Sequence, residues 1–265
     1  MARTRQTPGE ALVAQGWAVQ TWLDELPAEA YERETGLPGW NVHALLAHLD
    51  LLVDGLVDAL SSPTGARPLP NADLVARYAP DETNQRVLDH ATAYEPHALL
   101  DRLAAGLDRV AEVLGSGPGP AAVTSARGPV SPDDLLGTRT VELVVHADDL
   151  SRALGEREAV PLLRPALGVA CRTLADILAT RYPGRSVEVR IPPYAAVQCS
   201  AVRGGVIDTG PTHTRGTPPN VVETDAVTFF RLCAGRTAWA DALASGVIAA
   251  SGLRADLSEM VPLLA

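Results

Sequence analysis

A glutamate and a histidine in the segment RTVELVVHADDLSRALG have a spacing that suits a metal site on a helix. Glu142 and His146 are about 40° apart around a helix axis, so their side chains point the same way. Arg139 and Asp149 share this face, where Asp149 has the position to orient a ligand histidine. Leucines occupy the adjacent stripe of the same helix, so the polar face is expected to border the core. The same pattern also occurs on solvated helix faces, where Arg139 would make an ordinary ion pair.

A second histidine belongs to another predicted helix and lies on its apolar stripe. His48 lies between Leu45 and Leu52, and an imidazole buried there without a partner costs free energy. One interpretation is a core histidine with a hydrogen-bond partner, and the other is a metal ligand. If His48 faces Glu142 and His146 within one bundle, the three form a set of two histidines and one carboxylate. This set suits zinc best, also accepts nickel, iron or manganese, and leaves positions open for water or substrate.

The other candidate side chains have plainer interpretations. His43 is expected to face solvent, and His90 and His97 flank a helix junction, as surface or capping residues do. His213 lies in a loop rich in glycine and proline, where it is either a loop residue or a substrate contact. Cys233 lies in the apolar run FFRLCAG and is interpreted as a packed thiol.

The elements that must position these residues are predicted to be helices throughout the first part of the chain. Helix start signals and apolar spacing predict five helical segments. They cover residues 8–26, the stretch from Asn41 to the loop SSPTGARPLP, residues 72–94 with a break at Pro80, residues 96–115, and residues 131–155. In the second segment, Asp50, Asp54 and Asp58 are expected to face water.

The pattern changes after residue 155. One more helix is predicted over residues 161–181, and the strands that follow are separated by Gly and Pro turns. Strands are predicted in SVEVRIPP, AAVQCSAV, NVVETD and VIAASG, and helices in DAVTFFRLCAG, TAWADALASG and the closing LRADLSEMVPLL. Strands that follow a run of helices favour an α+β arrangement. We therefore predict an α-helical bundle over residues 1–157 and a smaller α+β domain over residues 158–265.

Composition excludes several classes of function. A formal net charge of −10 argues against binding to nucleic acid or to an anionic membrane. The chain has no apolar run long enough for a membrane span and no visible secretory signal, and its three cysteines lack a CxxC pair. These features predict a cytoplasmic protein. The absence of lysine excludes Schiff-base chemistry and a phosphate-loop lysine, and it is typical of a GC-rich genome.

Two motifs resemble one known family. The run LPGWNVHALLAHLDLL followed by RTVELVVHADDLSRALG is similar to the mycothiol-dependent maleylpyruvate isomerase family, whose N-terminal domain is a DinB-like four-helix bundle. The segment from FFRLCAGR to the end is similar to the sterol-carrier-like domain behind that bundle. The resemblance implies that His48, Glu142 and His146 bind zinc and that Arg236 takes part in activity. The all-arginine composition also suits the actinobacteria, which make mycothiol.

The resemblance implies an enzyme that takes a small-molecule substrate and mycothiol as a thiol cosubstrate. A metal-bound thiolate would add to an electrophilic carbon, which leads to isomerisation or to a stable thiol conjugate. Arg139 is the candidate contact for a carboxylate of the thiol or of the substrate, and Arg236 is the candidate anchor for a substrate carboxylate or an enolate. Two alternatives remain open: a metal-dependent hydrolase, and an apolar-ligand carrier with a structural metal. The sequence does not indicate an oligomeric state.

Overall fold

The structure is a computed structural model that describes residues 6–117, 119–155, 159–208, 210 and 218–264. The chain divides into two compact units, one comprising Met1–Pro70 with Arg77–Ala166 and the other Asn71–Ala76 with Leu167–Ala265. The predicted domain boundary between residues 157 and 158 lies outside the described residues.

The first unit is built mainly of helices. Its helices are α1 (Pro8–Asp24), a 3₁₀ helix (Ala28–Glu32), α2 (Val42–Leu60), α4 (Pro80–Ala93), α5 (Pro96–Gly115) and α6 (Pro132–Leu154). Helix α1 packs against α5 and α6, and α2 packs against the same two helices, so these four form a bundle. Helix α4 covers α2 from outside. Gly106 allows a close approach of α5 to α2, because a Cβ atom there would lie 2.7 Å from Cγ1 of Val53.

Local capping interactions explain where these helices begin. The Thr7 side chain accepts from the backbone of Glu10, and the Glu10 side chain binds back to the Thr7 N–H, which completes a capping box before α1. Asn41 and Ser131 accept in the same way from Ala44 and Asp134. The predicted break at Pro80 is confirmed, since a short helix α3 (Asn71–Val75) ends before Pro80 opens α4.

Two small hairpins of the first unit were not predicted from the sequence. Strand β1 (Glu34–Leu37) pairs with β2 (Trp40–Asn41), and β3 (Val123–Ser125) pairs with β4 (Gly128–Val130). Each pairing is too short to show the alternation that identifies a strand in sequence. The first hairpin leads directly into α2 and the second almost directly into α6, so they set the entry of the two helices that carry the candidate site.

The second unit combines helices with a mixed sheet. Its elements are α3, most of α7 (Arg164–Arg181), β5 (Val187–Ile191), β6 (Ala195–Cys199), β7 (Ala201–Arg203), β8 (Val206–Asp208), β9 (Val221–Thr224), α8 (Ala226–Cys233), α9 (Trp239–Ala244) and β10 (Ile248–Ser251). The main sheet has the order β10-β9-β5-β6, in which β5 and β9 are parallel and the other pairs antiparallel. Strands β7 and β8 form a separate hairpin across Gly204 and Gly205, which both have positive φ.

The sheet has one buried face. Val187, Val189 and Ile191 alternate with less buried residues along β5, as a half-buried strand requires. Asp225 caps α8 by accepting from two backbone N–H groups, and the helix buries Phe229 and Phe230. The predicted combination of a helical bundle and a smaller α+β region is confirmed.

The predicted closing helix is wrong. Residues 253–264 form turns, although their apolar residues have helical spacing. The Asp256 side chain accepts from the backbone of Ser258, and the N–H groups of Leu263 and Leu264 both donate to the carbonyl of Cys233 at the end of α8. Tertiary hydrogen bonds therefore replace the helical ones.

Among the described residues, no helix combines the length and hydropathy needed to cross a membrane.

Candidate metal and thiol site

His48 lies inside the helical bundle, as predicted. Helix α2 starts at the Asn41 cap. His48 lies about two turns further along this helix and is only 9% exposed. Burial, followed by the proximity of His146, lowers the pKa of His48 to about 3. The imidazole is therefore neutral at physiological pH and keeps a lone pair for a proton donor or a metal ion.

His146 on α6 comes close to His48 and is oriented by a carboxylate. The two ring centroids are 4.8 Å apart and the rings meet edge to face. His146 Nδ1 lies 3.0 Å from Oδ2 of Asp149, which is 2% exposed. A carboxylate only accepts hydrogen bonds, so Nδ1 is the donor and Nε2 is the ring nitrogen left for a metal ion. The geometry favours the prediction that Asp149 orients a histidine over the alternative of a solvent-exposed carboxylate.

Glu142 lies between the histidines and two arginines. Its Oε2 atom is 3.8 Å from Nε2 of His48, and its Oε1 atom accepts from Nη1 of Arg139 at 2.5 Å. Nη2 of Arg127 is 3.8 Å from the same Oε1 atom. Burial acts to raise the pKa of Glu142, but Arg139 and then Arg127 outweigh it and hold the pKa below its ordinary value. Glu142 is therefore an ionised carboxylate in a mostly buried setting.

Sequence reasoning missed three residues of this site. Arg127 lies in the turn of the β3–β4 hairpin, and its guanidinium stacks over the ring of Tyr78 at 5.0 Å. The Trp40 ring lies 5.1 Å from that of His48 and 6.5 Å from that of His146, and it covers the pair. The turn sequence Ser-Ala-Arg-Gly was a signal for the hairpin, but no sequence pattern indicated that Arg127 faces Glu142.

The chemistry of His48, Glu142 and His146 suits a divalent metal ion. Two imidazoles, that of His48 neutral and that of His146 oriented by Asp149, and one ionised carboxylate are donors that first-row divalent ions accept. Among the described residues, no group of three or more His, Cys, Asp or Glu side chains already has the arrangement of a metal site. Oε1 of Glu142 is engaged by Arg139, while Oε2 faces His48. The residue types therefore fit a metal, and small side-chain shifts are needed to close the set.

A second polar cluster of the bundle was also missed. Asp50 was expected to face water, and this prediction is wrong, because Asp50 is only 1% exposed. Its Oδ2 atom accepts from Nε of Arg102 and contacts Nε2 of His90, both at 2.7 Å. His90 is therefore a partly buried partner of Asp50 rather than a surface residue. His43 lies at the surface with its Nε2 atom 2.9 Å from the carbonyl oxygen of Tyr94.

The second unit holds two further candidate residues, Arg236 and Cys233. Nη1 of Arg236 donates to the carbonyl of Ala234, the residue that caps the C-terminal end of α8. Cys233 is fully buried, and burial raises the pKa of its thiol, which confirms the interpretation as a packed thiol. His97, in the first unit, is highly exposed beside Asp101. His213 lies outside the described residues.

Comparison with known proteins places the chain in a family. Residues 12–151 match the family model described as the mycothiol maleylpyruvate isomerase N-terminal domain, and residues 163–263 match the model described as a bacterial SCP ortholog. The first match covers more than half of the chain. The chain therefore belongs to the family defined by the mycothiol maleylpyruvate isomerase N-terminal domain, and its helical bundle is followed by an SCP-like α+β region.

Two solved structures have a similar fold. One is the mycothiol-dependent maleylpyruvate isomerase, with a TM-score of 0.55 and 17% identity, and the match covers 92% of this chain and 91% of that chain. The other is a point mutant of a mycothiol-dependent maleylpyruvate isomerase, with a TM-score of 0.57, 18% identity and the same coverage. At this identity the likeness shows the fold alone. No curated protein matches the chain by sequence.

Proposed function

We propose that this chain is a cytoplasmic, thiol-dependent isomerase that uses mycothiol and a divalent metal ion to act on a small electrophilic substrate. The observation that carries the proposal is the meeting of His48, Glu142 and His146 inside a bundle that belongs to this family. Zinc is the foremost candidate for the metal, and nickel, iron or manganese suit the same donors.

In this proposal each side chain of the site has a distinct role. Glu142 and the Nε2 atoms of His48 and His146 would hold the metal, and the hydrogen bond from His146 to Asp149 would keep its ring in place. When bound, the ion would lower the pKa of a thiol sulfur so that a thiolate exists at neutral pH. Arg139 is the proposed contact for the thiol, since its Nε atom is buried without a partner among the described residues.

Isomerisation and thiol transfer share their first step. In both reactions a thiolate adds to an activated double bond of the substrate. Isomerisation follows if the adduct rotates about the former double bond and then eliminates the thiolate. S-transfer follows if the adduct is protonated and dissociates from the enzyme as a stable thioether. Maleylpyruvate, on which the structurally similar isomerase acts, is the first substrate to test. An NMR assay with mycothiol separates the two, because isomerisation returns the thiol and S-transfer consumes one equivalent.

The metal assignment is tested by elemental analysis of the purified protein. We expect about one divalent ion per chain in the wild type and little in His48→Ala or His146→Ala, because each variant removes a donor. His97→Ala is the matched control, since this side chain is 84% exposed and distant from the set in sequence. Full metal content in both site variants, with circular dichroism of a folded protein, would contradict the assignment.

Thiol binding is tested on the cobalt-substituted protein. A thiolate ligand changes the absorption spectrum of cobalt, so we expect mycothiol to alter the spectrum in a saturable way. Methylated mycothiol, in which the sulfur cannot ionise, is the control and should leave the spectrum unchanged. If mycothiol also leaves it unchanged at saturating concentration, the proposed thiol dependence is wrong.

A further inference from the structure

Within the part of the chain that the structure describes, the guanidinium of Arg127 is held at the candidate site without a hydrogen-bond acceptor. Its side chain is 20% exposed and lies over the ring of Tyr78. The nearest carboxylate oxygen, Oε1 of Glu142, is 3.8 Å from Nη2, which is too long for a hydrogen bond. Among the contacts of the described residues, the guanidinium makes this ion pair and the ring contact but donates no hydrogen bond.

The backbone around Arg127 is well fixed. Its N–H donates to Oγ of Ser125 at 3.2 Å, and its carbonyl accepts from Nη1 of Arg77 at 3.0 Å. Both bonds hold the hairpin turn, and the Tyr78 ring limits the directions that the guanidinium can take. A binding group that is oriented in advance loses little entropy when a ligand arrives.

The charges around Glu142 do not balance. Arg127 and Arg139 bring two positive charges to one carboxylate. Arg139 already satisfies the carboxylate at 2.5 Å, so the charge of Arg127 is only partly compensated. Because Nη2 of Arg127 lies 3.8 Å from Oε1 of Glu142, the guanidinium keeps N–H groups available to a further acceptor. The excess of guanidinium over carboxylate charge around Glu142 favours an anionic ligand.

We propose that Arg127 binds a carboxylate group of the electrophilic substrate and thereby selects anionic substrates. The proposal rests on the proposed function, because it needs the reacting centre to lie beside His48, Glu142 and His146. A guanidinium presents a planar fork of two N–H groups that matches a carboxylate. In this assignment Arg139 keeps Glu142 in place, and Arg127 contributes specificity.

The test measures binding of succinate, a dianion that cannot react with a thiol, by calorimetry on the metal-loaded protein. Wild type binds succinate and not the neutral succinamide. Arg127→Gln weakens succinate binding by about tenfold to a hundredfold, the scale of a lost charge-assisted pair. Arg109→Gln removes the same charge from a half-exposed ion pair with Asp54 and changes binding by less than about twofold.

A second variant, Arg127→Lys, separates the effect of the planar guanidinium from that of its positive charge. Arg127→Lys keeps the positive charge but cannot present two parallel N–H groups, so it recovers only part of the lost affinity. Equal binding of succinate and succinamide by the wild type overturns the inference. So does unchanged succinate binding in folded Arg127→Gln and Arg127→Lys. A role limited to stability overturns it too, and it appears as lower unfolding midpoints with unchanged affinity.

Failure of the inference about Arg127 can be distinguished from failure of the proposed function. Metal content and the response of the cobalt spectrum to mycothiol are measured on the same Arg127→Gln protein. If both are retained while succinate affinity falls, the inference is supported. If wild type shows the metal and thiol responses but no preference for succinate, the inference alone fails. If metal and thiol responses are absent from the wild type, the proposed function fails and the inference fails with it.

Discussion

At the scale of single residues, the candidate site depends on side chains that orient other side chains. Asp149 accepts from Nδ1 of His146, and Arg139 binds one oxygen of Glu142. Both partners lie on α6 one turn from the residue that they hold, so one helix carries two donors together with their supports. Trp40, in strand β2 just before α2, lies against the imidazole pair.

We expect Asp149→Asn to lower the affinity for zinc by about tenfold to a hundredfold, the usual effect of removing a carboxylate behind a ligand histidine. The amide has the same shape but no charge, so the imidazole becomes less basic and less well oriented. A chelator competition titration measures the affinity. Asp101→Asn is the matched control because its side chain is 74% exposed. Equal affinity of wild type and Asp149→Asn would refute this role of Asp149.

At the scale of secondary structure elements, the bundle is joined by an ion network as well as by apolar packing. Asp50 on α2 contacts His90 on α4 and Arg102 on α5. Arg102 and Arg109 also bind Asp54 one turn further along α2. The network fixes the position of α2, the helix that carries His48, against its two neighbours.

We expect Asp50→Ala to reduce the free energy of unfolding by about 2–4 kcal/mol, because the variant leaves Arg102 and His90 without their buried acceptor. Asp58→Ala removes an exposed aspartate from the same helix and should change stability by less than about 0.5 kcal/mol. Urea denaturation followed by circular dichroism measures both. A similar small effect for the two variants would mean that apolar packing alone positions α2.

Arg236, just after the end of α8, is predicted to act in turnover in addition to capping the helix. We expect Arg236→Ala to lower turnover by about a hundredfold with metal content unchanged, the scale of losing one charge-stabilising donor. The bond from Arg236 to the Ala234 carbonyl is a capping contact, and its loss costs no more than about 1 kcal/mol.

The two contributions of Arg236 are measured separately. Turnover per folded molecule reports the role in activity, and urea denaturation reports the capping role. Arg236→Lys keeps a positive charge near the helix end and should recover stability more fully than turnover. If stability falls in Arg236→Ala while turnover per folded molecule does not, Arg236 is only a cap.

At the scale of the whole molecule, the chain belongs to a two-part family in which a helical bundle is followed by an SCP-like region. The candidate metal ligands all lie in the first unit, whereas the three cysteines all lie in the second. Burial raises the pKa of Cys171 and of Cys199 to about 12. No cysteine is therefore suited to act as a thiolate in the folded protein.

We expect the native protein to resist a thiol-specific disulfide reagent at pH 8. A thiol whose pKa is about 12 is ionised to about one part in ten thousand at that pH, and burial excludes the reagent as well. In guanidinium chloride the pKa values return to their ordinary range, and three thiols should react. Absorbance of the released leaving group gives the count. Rapid reaction of a native thiol would contradict the inert, packed role of the cysteines.

Local interactions determined much of this fold, and for that reason the sequence predicted it. The helix starts at Asn41 and Ser131 are side-chain caps that need only the next three residues. The shared direction of Glu142 and His146 follows from helical geometry alone. The inward position of His48 follows from the apolar stripe on which it lies, so local patterns were enough to indicate all three candidate ligands.

Only the tertiary structure decided the remaining features, because each depends on residues far apart in the chain. Asp50 is buried since His90 and Arg102 compensate its charge, and no pattern around Asp50 reveals them. Arg127 faces Glu142 because of a short hairpin. Residues 253–264 have the spacing of a helix, but hydrogen bonds to the carbonyl of Cys233 are available only after α8 has formed. Charge compensation and hydrogen bonds between distant segments are properties of the assembled fold, and a local pattern cannot encode them.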